Sequence, residues 1–338
     1  MLNLKKLSED EIRDLLRSEG LENYRADQLI QWIYERHTSS IEEITVFSRS
    51  LRNKLSSKYR IGAITPIHEA HSADGTRKFL FELEDGETVE SVLIPDGNRL
   101  TLCISSQVGC AMGCRFCVTG SIGLKRNLSA WEIVDQFIQV ERLIGKGMVT
   151  NIVLMGMGEP LHNVIEVEEA LNRMVSFMKI SKRRITLSTS GYLKGLEHLT
   201  AAAPRVNLAV SLNATDDRTR TSLMPVNRHY PLKTLIGRLR KYPLEKRRRI
   251  TIEYIMLDGV NDSLQDAEKL YKLLKGIPVK INLIPFNPSP SIPYRPSPPE
   301  RIYRFQEVLI KKGLTVLVRK SKGGDILAAC GQLKAGYK

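Results

Sequence analysis

Apolar positions in the first sixty residues recur at helical spacing, and from about residue 63 the rhythm changes to that of strands. Ser8-Glu-Asp-Glu11 has the form of a capping box ahead of Ile12, Leu15 and Leu16. Leu29, Trp32 and Ile33 fall on one face of a stretch from Tyr24 to Arg36, and Phe47 to Leu55 adds a third segment. Residues 1–62 therefore read as a small helical domain whose aromatic side chains are core. Such a module is equally suited to docking RNA.

Lys78-Phe-Leu-Phe-Glu-Leu and Thr88-Val-Glu-Ser-Val-Leu-Ile flank Glu84-Asp85-Gly86-Glu87, whose Asp-Gly step signals a hairpin. Residues 63–98 are thus expected to form an antiparallel extension leading into Thr101-Leu-Cys-Ile-Ser. Beyond residue 99 apolar strands and amphipathic helices alternate. Ser129-Ala-Trp-Glu132 opens a helix to about Ile144, and strands are expected at 151–155, 185–188, 206–212, 250–256, 279–285 and 314–318. Helices are expected near 163–177, 193–202, 231–241, 262–275 and 298–312, the last capped by Ser297. Alternation of this kind with buried apolar strands implies α/β architecture on a parallel sheet. About six units spanning 99–338 predict a partial, open (β/α)6 barrel. Gly156-Met-Gly-Glu159, Ser188-Thr-Ser-Gly191, Ser211-Leu-Asn213 and Asn287 all follow strand C-termini, the edge where barrels build active sites.

The chain has 338 residues, 42% of them hydrophobic and 26% charged, so composition suits a soluble globular protein. No run is apolar enough to span a bilayer and no signal core opens the chain, which predicts a cytoplasmic protein without a membrane partner. The net charge of +14 changes the picture, because it favours a polyanionic partner such as nucleic acid. Basic residues cluster at 182–184, 246–249, 311–312 and 319–322, and Arg126 stands apart as a further candidate contact. Aromatics make up only 6%, which does not indicate extensive base stacking.

Three of the five cysteines fall in Cys110-Ala-Met-Gly-Cys114-Arg-Phe-Cys117. Thiolates select zinc, copper(I) or iron–sulfur clusters. A [4Fe–4S] cluster normally takes four cysteines, so three leave one iron open to a substrate or cofactor. The alternative is a zinc site completed by Cys103 or a histidine, although no second pair with zinc-finger spacing exists. Read alone, Cys330 in Ala-Ala-Cys-Gly is a small buried residue, Cys103 a strand residue or fourth ligand, and Glu90 a solvent-facing strand position.

With these residues in view, the chain closely resembles the RlmN/Cfr family of radical S-adenosylmethionine (SAM) RNA methyltransferases, from Tyr24-Arg25 through Cys330-Gly-Gln-Leu333. The resemblance implies that Cys110, Cys114 and Cys117 hold one [4Fe–4S] cluster and that Gly158, Glu159, Ser188, Ser211, Leu212, Asn213 and Asn287 line the SAM site. It further implies that Cys330 is methylated by one SAM, and that a 5′-deoxyadenosyl radical from a second SAM activates that methyl group. Glu90 is then the proton acceptor, and Cys103 releases the product and leaves a Cys103–Cys330 disulfide. The implied substrates are adenines of 23S rRNA and certain tRNAs, with an electron donor such as flavodoxin or ferredoxin. Pro160 in Gly-Glu-Pro favours the branch that methylates carbon 2 over the carbon-8 branch. Asn213 departs from the histidine frequent in relatives, which puts a side-chain role there in doubt. A cluster-bearing RNA-binding protein without catalysis, or a small-molecule radical SAM enzyme, is the alternative of a different class; the charge disfavours the latter.

Overall fold

A computed structural model describes residues 1–334; the last four residues of the expected 99–338 catalytic portion lie outside the described residues. Three helices open the chain: α1 (Glu9–Ser18), α2 (Asn23–Tyr34) and α3 (Arg49–Ser56). The Ser8–Glu11 capping box is formed in both directions. Tyr34 and Phe47 are core, as expected of this domain's aromatics, but Tyr24 is half exposed and Trp32 partly so. Arg25 and Arg36 cover those two rings at 4.8 and 4.6 Å, so a guanidinium face does what core packing was expected to do.

One ten-stranded sheet carries the rest. Four strands run antiparallel, β1 (Thr65–His71), β2 (Arg77–Glu82), β3 (Thr88–Asp96) and β4 (Arg99–Cys103). From β4 the sheet continues in parallel through β5 (Asn151–Leu154), β6 (Ile185–Thr189), β7 (Asn207–Ser211), β8 (Ile250–Met256), β9 (Val279–Pro285) and β10 (Thr315–Val318). Strand order follows chain order without exception, and β10 and β1 are the two edges. The barrel is therefore open. Six crossovers join its seven parallel strands, through α4 (Ala130–Ile144), α5 (Val164–Asn172), α6 (Leu193–Ala202), the pair α7 (Asp217–Leu223) and α8 (Leu232–Arg240), α9 (Leu264–Leu274) and α10 (Pro299–Lys311).

Residue patterns account for these elements. Strands β7 to β9 are apolar along most of their length because helices cover one face and the barrel interior the other, whereas β6 alternates apolar and hydroxyl residues. Polar exceptions point inward: Glu253 on β8 accepts from Asn282 Nδ2 on β9 at 2.9 Å. Capping boxes at Ser129 and Ser263 start α4 and α9. The expected cap at Ser297 is not made. Pro298 holds the cap position of α10, and the buried Ser297 hydroxyl has no partner among the described residues.

Buried charge fastens the N-terminal helices to the barrel. Lys5, 2% exposed, meets Asp135 of α4 at 2.5 Å, and the other Asp135 oxygen accepts from Ile64 N. Arg173, in a π turn that extends α5, donates to Lys5 O, Leu7 O and the Tyr34 hydroxyl at 2.6–3.0 Å. No helix of the described residues is long and apolar enough to cross a membrane.

Candidate active site

The cysteine loop hangs from a short antiparallel ribbon, Gln107–Gly109 against Leu124–Asn127. Gly109 adopts φ +75°, and a Cβ there would lie 1.8 Å from Gly123 O, so only glycine closes the ribbon. Cys117 N donates back to Cys114 O at 3.1 Å, and Arg115 N reaches Leu223 O of α7 at 2.9 Å. Around the thiols lie Met112, Phe116, Leu223, Met224, Val226, Leu257 and Phe286.

That apolar wall has an electrostatic consequence. Burial pushes the Cys110 thiol up to about 12, reinforced by the Glu159 and Cys117 charges. Burial also raises Cys114 well above the ordinary thiol range, and Cys117 less, where hydrogen bonds from Gly120 and Thr119 oppose it. Such thiols ionise when a metal takes the proton's place. Among the described residues no three His, Cys, Asp or Glu side chains are gathered closely enough to hold a single metal ion. Three soft, mutually interacting sulfurs in a dry loop fit a [4Fe–4S] cluster.

The expected SAM-site residues divide into two groups. Gly158 follows β5 with φ +101°, and Glu159 N donates to Gln107 Oε1 at 2.8 Å. The Glu159 carboxylate is buried, which raises its pKa, and it accepts from Leu161 N at 3.1 Å and Ser190 N at 2.7 Å. The Ser190 hydroxyl is buried without a partner among the described residues. Ser188 and Ser211 stand half-buried on β6 and β7, while Leu212 is fully buried. Asn213 takes φ +58°, a conformation asparagine tolerates better than most residues. Its Oδ1 accepts from Ile255 N and its Nδ2 donates to Met224 Sδ, so the side chain is committed to holding the loop.

A second group opens on one cavity of about 110 Å³ beyond the C-terminal ends of the strands. Cys103, Cys117, Asn287 and Cys330 all line it. Asn287 Nδ2 donates to Cys330 O at 3.2 Å, and Val118 N to Gly331 O at 2.7 Å, so the last segment is tied to the loop after β9 and to the cysteine loop together. Cys330 is exposed; desolvation by its neighbours, with the Glu253 and Cys117 charges, raises its pKa, and Arg319 works against them. Cys103, buried at the end of β4, is raised by burial and by the Cys330 charge. All five cysteines are free thiols here, so the expected disulfide is not present in this state.

Glu90 is not the solvent-facing residue that strand alternation suggests. It is 3% exposed and shares a row of β3 with Val92 and Ile94, which line the cavity. Its carboxylate pairs with Lys78 at 3.1 Å and accepts from Lys334 N at 2.8 Å. Arg126, a candidate RNA contact by sequence, is instead held by Asp85 and Glu132 at 2.6–2.9 Å. The basic clusters also separate. Residues 182–184, 246–249 and 311–312 precede β6, β8 and β10, at the edge opposite the cavity, where Lys182 and Arg248 pair with Glu245. Arg319, Lys320 and Lys322 line the cavity. Sequence reasoning missed α7 and its buried Arg220; the only signal was Asp216 as a cap.

Residues 104–274 match the family model of the radical SAM superfamily, and residues 2–61 that of the ribosomal RNA large subunit methyltransferase N-terminal domain. The chain is 49% identical over 334 residues to the dual-specificity RNA methyltransferase RlmN of Pelobacter propionicus, covering 98% of this chain and 95% of that one. It is 50% identical over 336 residues to the protein of that name from Geobacter sulfurreducens, covering 99% and 92%. A crystal structure of a radical SAM methyltransferase from Sphaerobacter thermophilus superposes with a TM-score of 0.93 at 42% identity, over 99% of this chain and 100% of that one.

Proposed function

The chain belongs to the RlmN family of radical SAM RNA methyltransferases, and from that premise we propose that it methylates carbon 2 of adenine in 23S rRNA and in certain tRNAs, in the cytoplasm. It is a SAM-dependent enzyme of the kind that carries a [4Fe–4S] cluster. In this reading Cys110, Cys114 and Cys117 hold the cluster, and Gly158, Glu159, Ser188, Ser211, Leu212, the backbone of Asn213 and Asn287 receive SAM. Residues 1–62 are an accessory module, 63–98 an antiparallel extension and 99–338 the catalytic portion.

The observation that carries the proposal is the shared cavity of Cys103, Cys117, Asn287 and Cys330. Carbon 2 of adenine lies between two ring nitrogens and offers no lone pair to a sulfonium methyl, so direct polar transfer is closed to it. A cysteine that first takes the methyl group avoids the difficulty. Cys330 Sγ, as thiolate, attacks the methyl of SAM: a sulfur–carbon bond forms, the sulfonium bond breaks and S-adenosylhomocysteine leaves. When bound, the cluster and a further SAM supply a carbon radical that removes a hydrogen atom from that methyl group. Cys330 then joins the activated carbon to the adenine, and as the adduct loses its carbon-2 proton it also gives up its unpaired electron, for which the oxidised cluster, when bound, would be the acceptor.

Glu90 accepts the carbon-2 proton. Glu90 does not itself line the cavity, but its carboxylate is held by the amide of Lys334, next to the cavity-lining Leu333. Cys103 attacks Cys330 Sγ, making a sulfur–sulfur bond and breaking the bond to carbon, which takes a proton to complete the product methyl. A thiol reductant then restores both cysteines. Flavodoxin or ferredoxin fits the electron supply. Arg319, Lys320 and Lys322 offer phosphate contacts where the RNA must enter.

Mass spectrometry of the Cys330 peptide from protein expressed with its cluster intact tests this directly. One added methyl group on Cys330, absent from Cys330→Ala, is the expected result. An unmodified thiol after anaerobic incubation with SAM and reductant overturns the route. Mapping the methylated atom in product RNA separates carbon 2 from carbon 8.

A further inference from the structure

Arg220 is 0% exposed and makes no direct ion pair among the described residues; the nearest answering carboxylate, Asp217, reaches it through Asn227, whose Nδ2 donates to Asp217 Oδ1 at 3.0 Å. Its guanidinium is nevertheless almost fully bonded. Nε donates to Leu212 O at 3.1 Å, Nη1 to Asn227 Oδ1 at 2.9 Å, and Nη2 to Ser190 O at 2.7 Å and Ser211 O at 3.3 Å. Three of the four partners are backbone carbonyls at the ends of β6 and β7. A buried cation is costly unless a negative charge answers it, and carbonyl dipoles answer it only in part.

The rest of the environment sets the guanidinium beside the cysteine loop. Helix α7, which carries Arg220, packs Leu223 and Met224 against Cys110, Met112 and Phe116, and Leu223 O accepts from Arg115 N inside the cysteine loop. Ser190 is bonded from both sides: its amide donates to Glu159 and its carbonyl accepts from Arg220. Gly191 stands so close that a Cβ would lie 3.3 Å from Nη2. Arg220 thus lies one helical turn before the residues that wall the cysteine loop.

We propose that Arg220 is a positioning residue for the cofactor site: it pins Ser190, Ser211 and Leu212 in one arrangement and supplies the fixed positive charge behind the cysteine-bound cluster. The inference rests on the reading of the cysteine loop as a cluster site. Two separable roles follow from the guanidinium. Its charge lowers the energy of the more negative, reduced cluster, since net charge nearby sets such potentials. Its planar fork fixes the two strand ends that face SAM, which a lysine ammonium cannot reproduce.

The test compares the parent chain with Arg220→Met and Arg220→Lys after anaerobic reconstitution. Iron and sulfide content, EPR-monitored redox titration and SAM-induced change of the EPR signal are read for each. Arg220→Met is expected to shift the one-electron equilibrium about tenfold toward the oxidised cluster, about 59 mV to lower potential. Arg220→Lys is expected to keep the parent potential while SAM binds about tenfold more weakly, and this variant retains the charge if the methionine variant does not fold. Parent-like potential in Arg220→Met, or parent-like SAM affinity in Arg220→Lys, overturns the corresponding half of the proposal. A parent protein that takes up no cluster overturns the reading of the site, and the inference with it.

Discussion

Lys78 Nζ and Glu90 Oε1 stand 3.1 Å apart on neighbouring strands, with side chains only 7% and 4% exposed. Truncating one partner strands the other charge in the interior, at about 3–5 kcal/mol. Glu90→Ala is therefore expected to lose stability as well as turnover, whereas Lys78→Met/Glu90→Gln recovers most of the stability and none of the turnover. Urea denaturation beside a methylation assay separates the two effects. Equal stability of Glu90→Ala and the parent would contradict the pairing.

The two ends of the strands carry basic residues with different prospects. Lys320→Ala/Lys322→Ala, at the cavity, is expected to weaken RNA binding and to reduce the slope of log affinity against log salt by about 1–2. Lys246→Ala/Arg247→Ala, at the opposite edge, is expected to leave both nearly unchanged. Titrations of a target RNA fragment between low and moderate salt decide it. Equal losses from the two pairs would mean that the RNA wraps the barrel.

Thiol burial predicts a pH dependence of the metal-free protein. A thiol raised in the folded state binds its proton more tightly there than in the unfolded chain. Its contribution to stability is complete below the unfolded value of about 8.5 and is lost as pH rises through the folded one, about 12 for Cys110. Apoprotein should lose stability between pH 8 and 10 (a range set by thiol ionisation near 8.5), and Cys110→Ala/Cys114→Ala should lose less over the same range. A flat urea midpoint across that range in the parent would contradict the burial of these sulfurs.

Gly158 has φ +101°, and a Cβ there would meet Gln107 Cβ at 2.6 Å. Gly158→Ala thus carries about 1–3 kcal/mol of backbone strain and displaces Gln107, which holds the Glu159 amide. The expected outcome is a folded but less stable protein that binds SAM at least about tenfold more weakly, the equivalent of 1.4 kcal/mol. Calorimetric SAM titration of the reconstituted variant reads it. Unchanged affinity would place SAM away from this loop.

Much of this layout was legible in the sequence because long apolar strands and capping boxes announce themselves. The six strands expected between 151 and 318 and the helices between them are all present, as are the boxes at Ser8 and Ser129. Two failures have physical causes. Alternation along Thr88–Ile94 suggested one wet face, but Ser91 bonds Gln136 of α4 on one side while Glu90 meets Lys334 on the other, so β3 is covered on both. Helix α7 has only seven residues, too short for a hydrophobic period to register, and its most consequential side chain is a buried cation that periodicity counts as surface.

The segment bearing Cys330 is fastened to the far edge of the sheet: Asp325 accepts from Ser72 and Ala73, and Gly323 N donates to Asp74, across separations of 249 to 253 residues. Contacts of such range form late, because the chain between their partners must be ordered first. During synthesis the cysteine loop emerges well before its clasp. At ordinary elongation rates it waits roughly ten seconds or more with that side of the barrel unlatched, an interval in which iron and sulfide can be delivered to a pocket that the finished chain encloses.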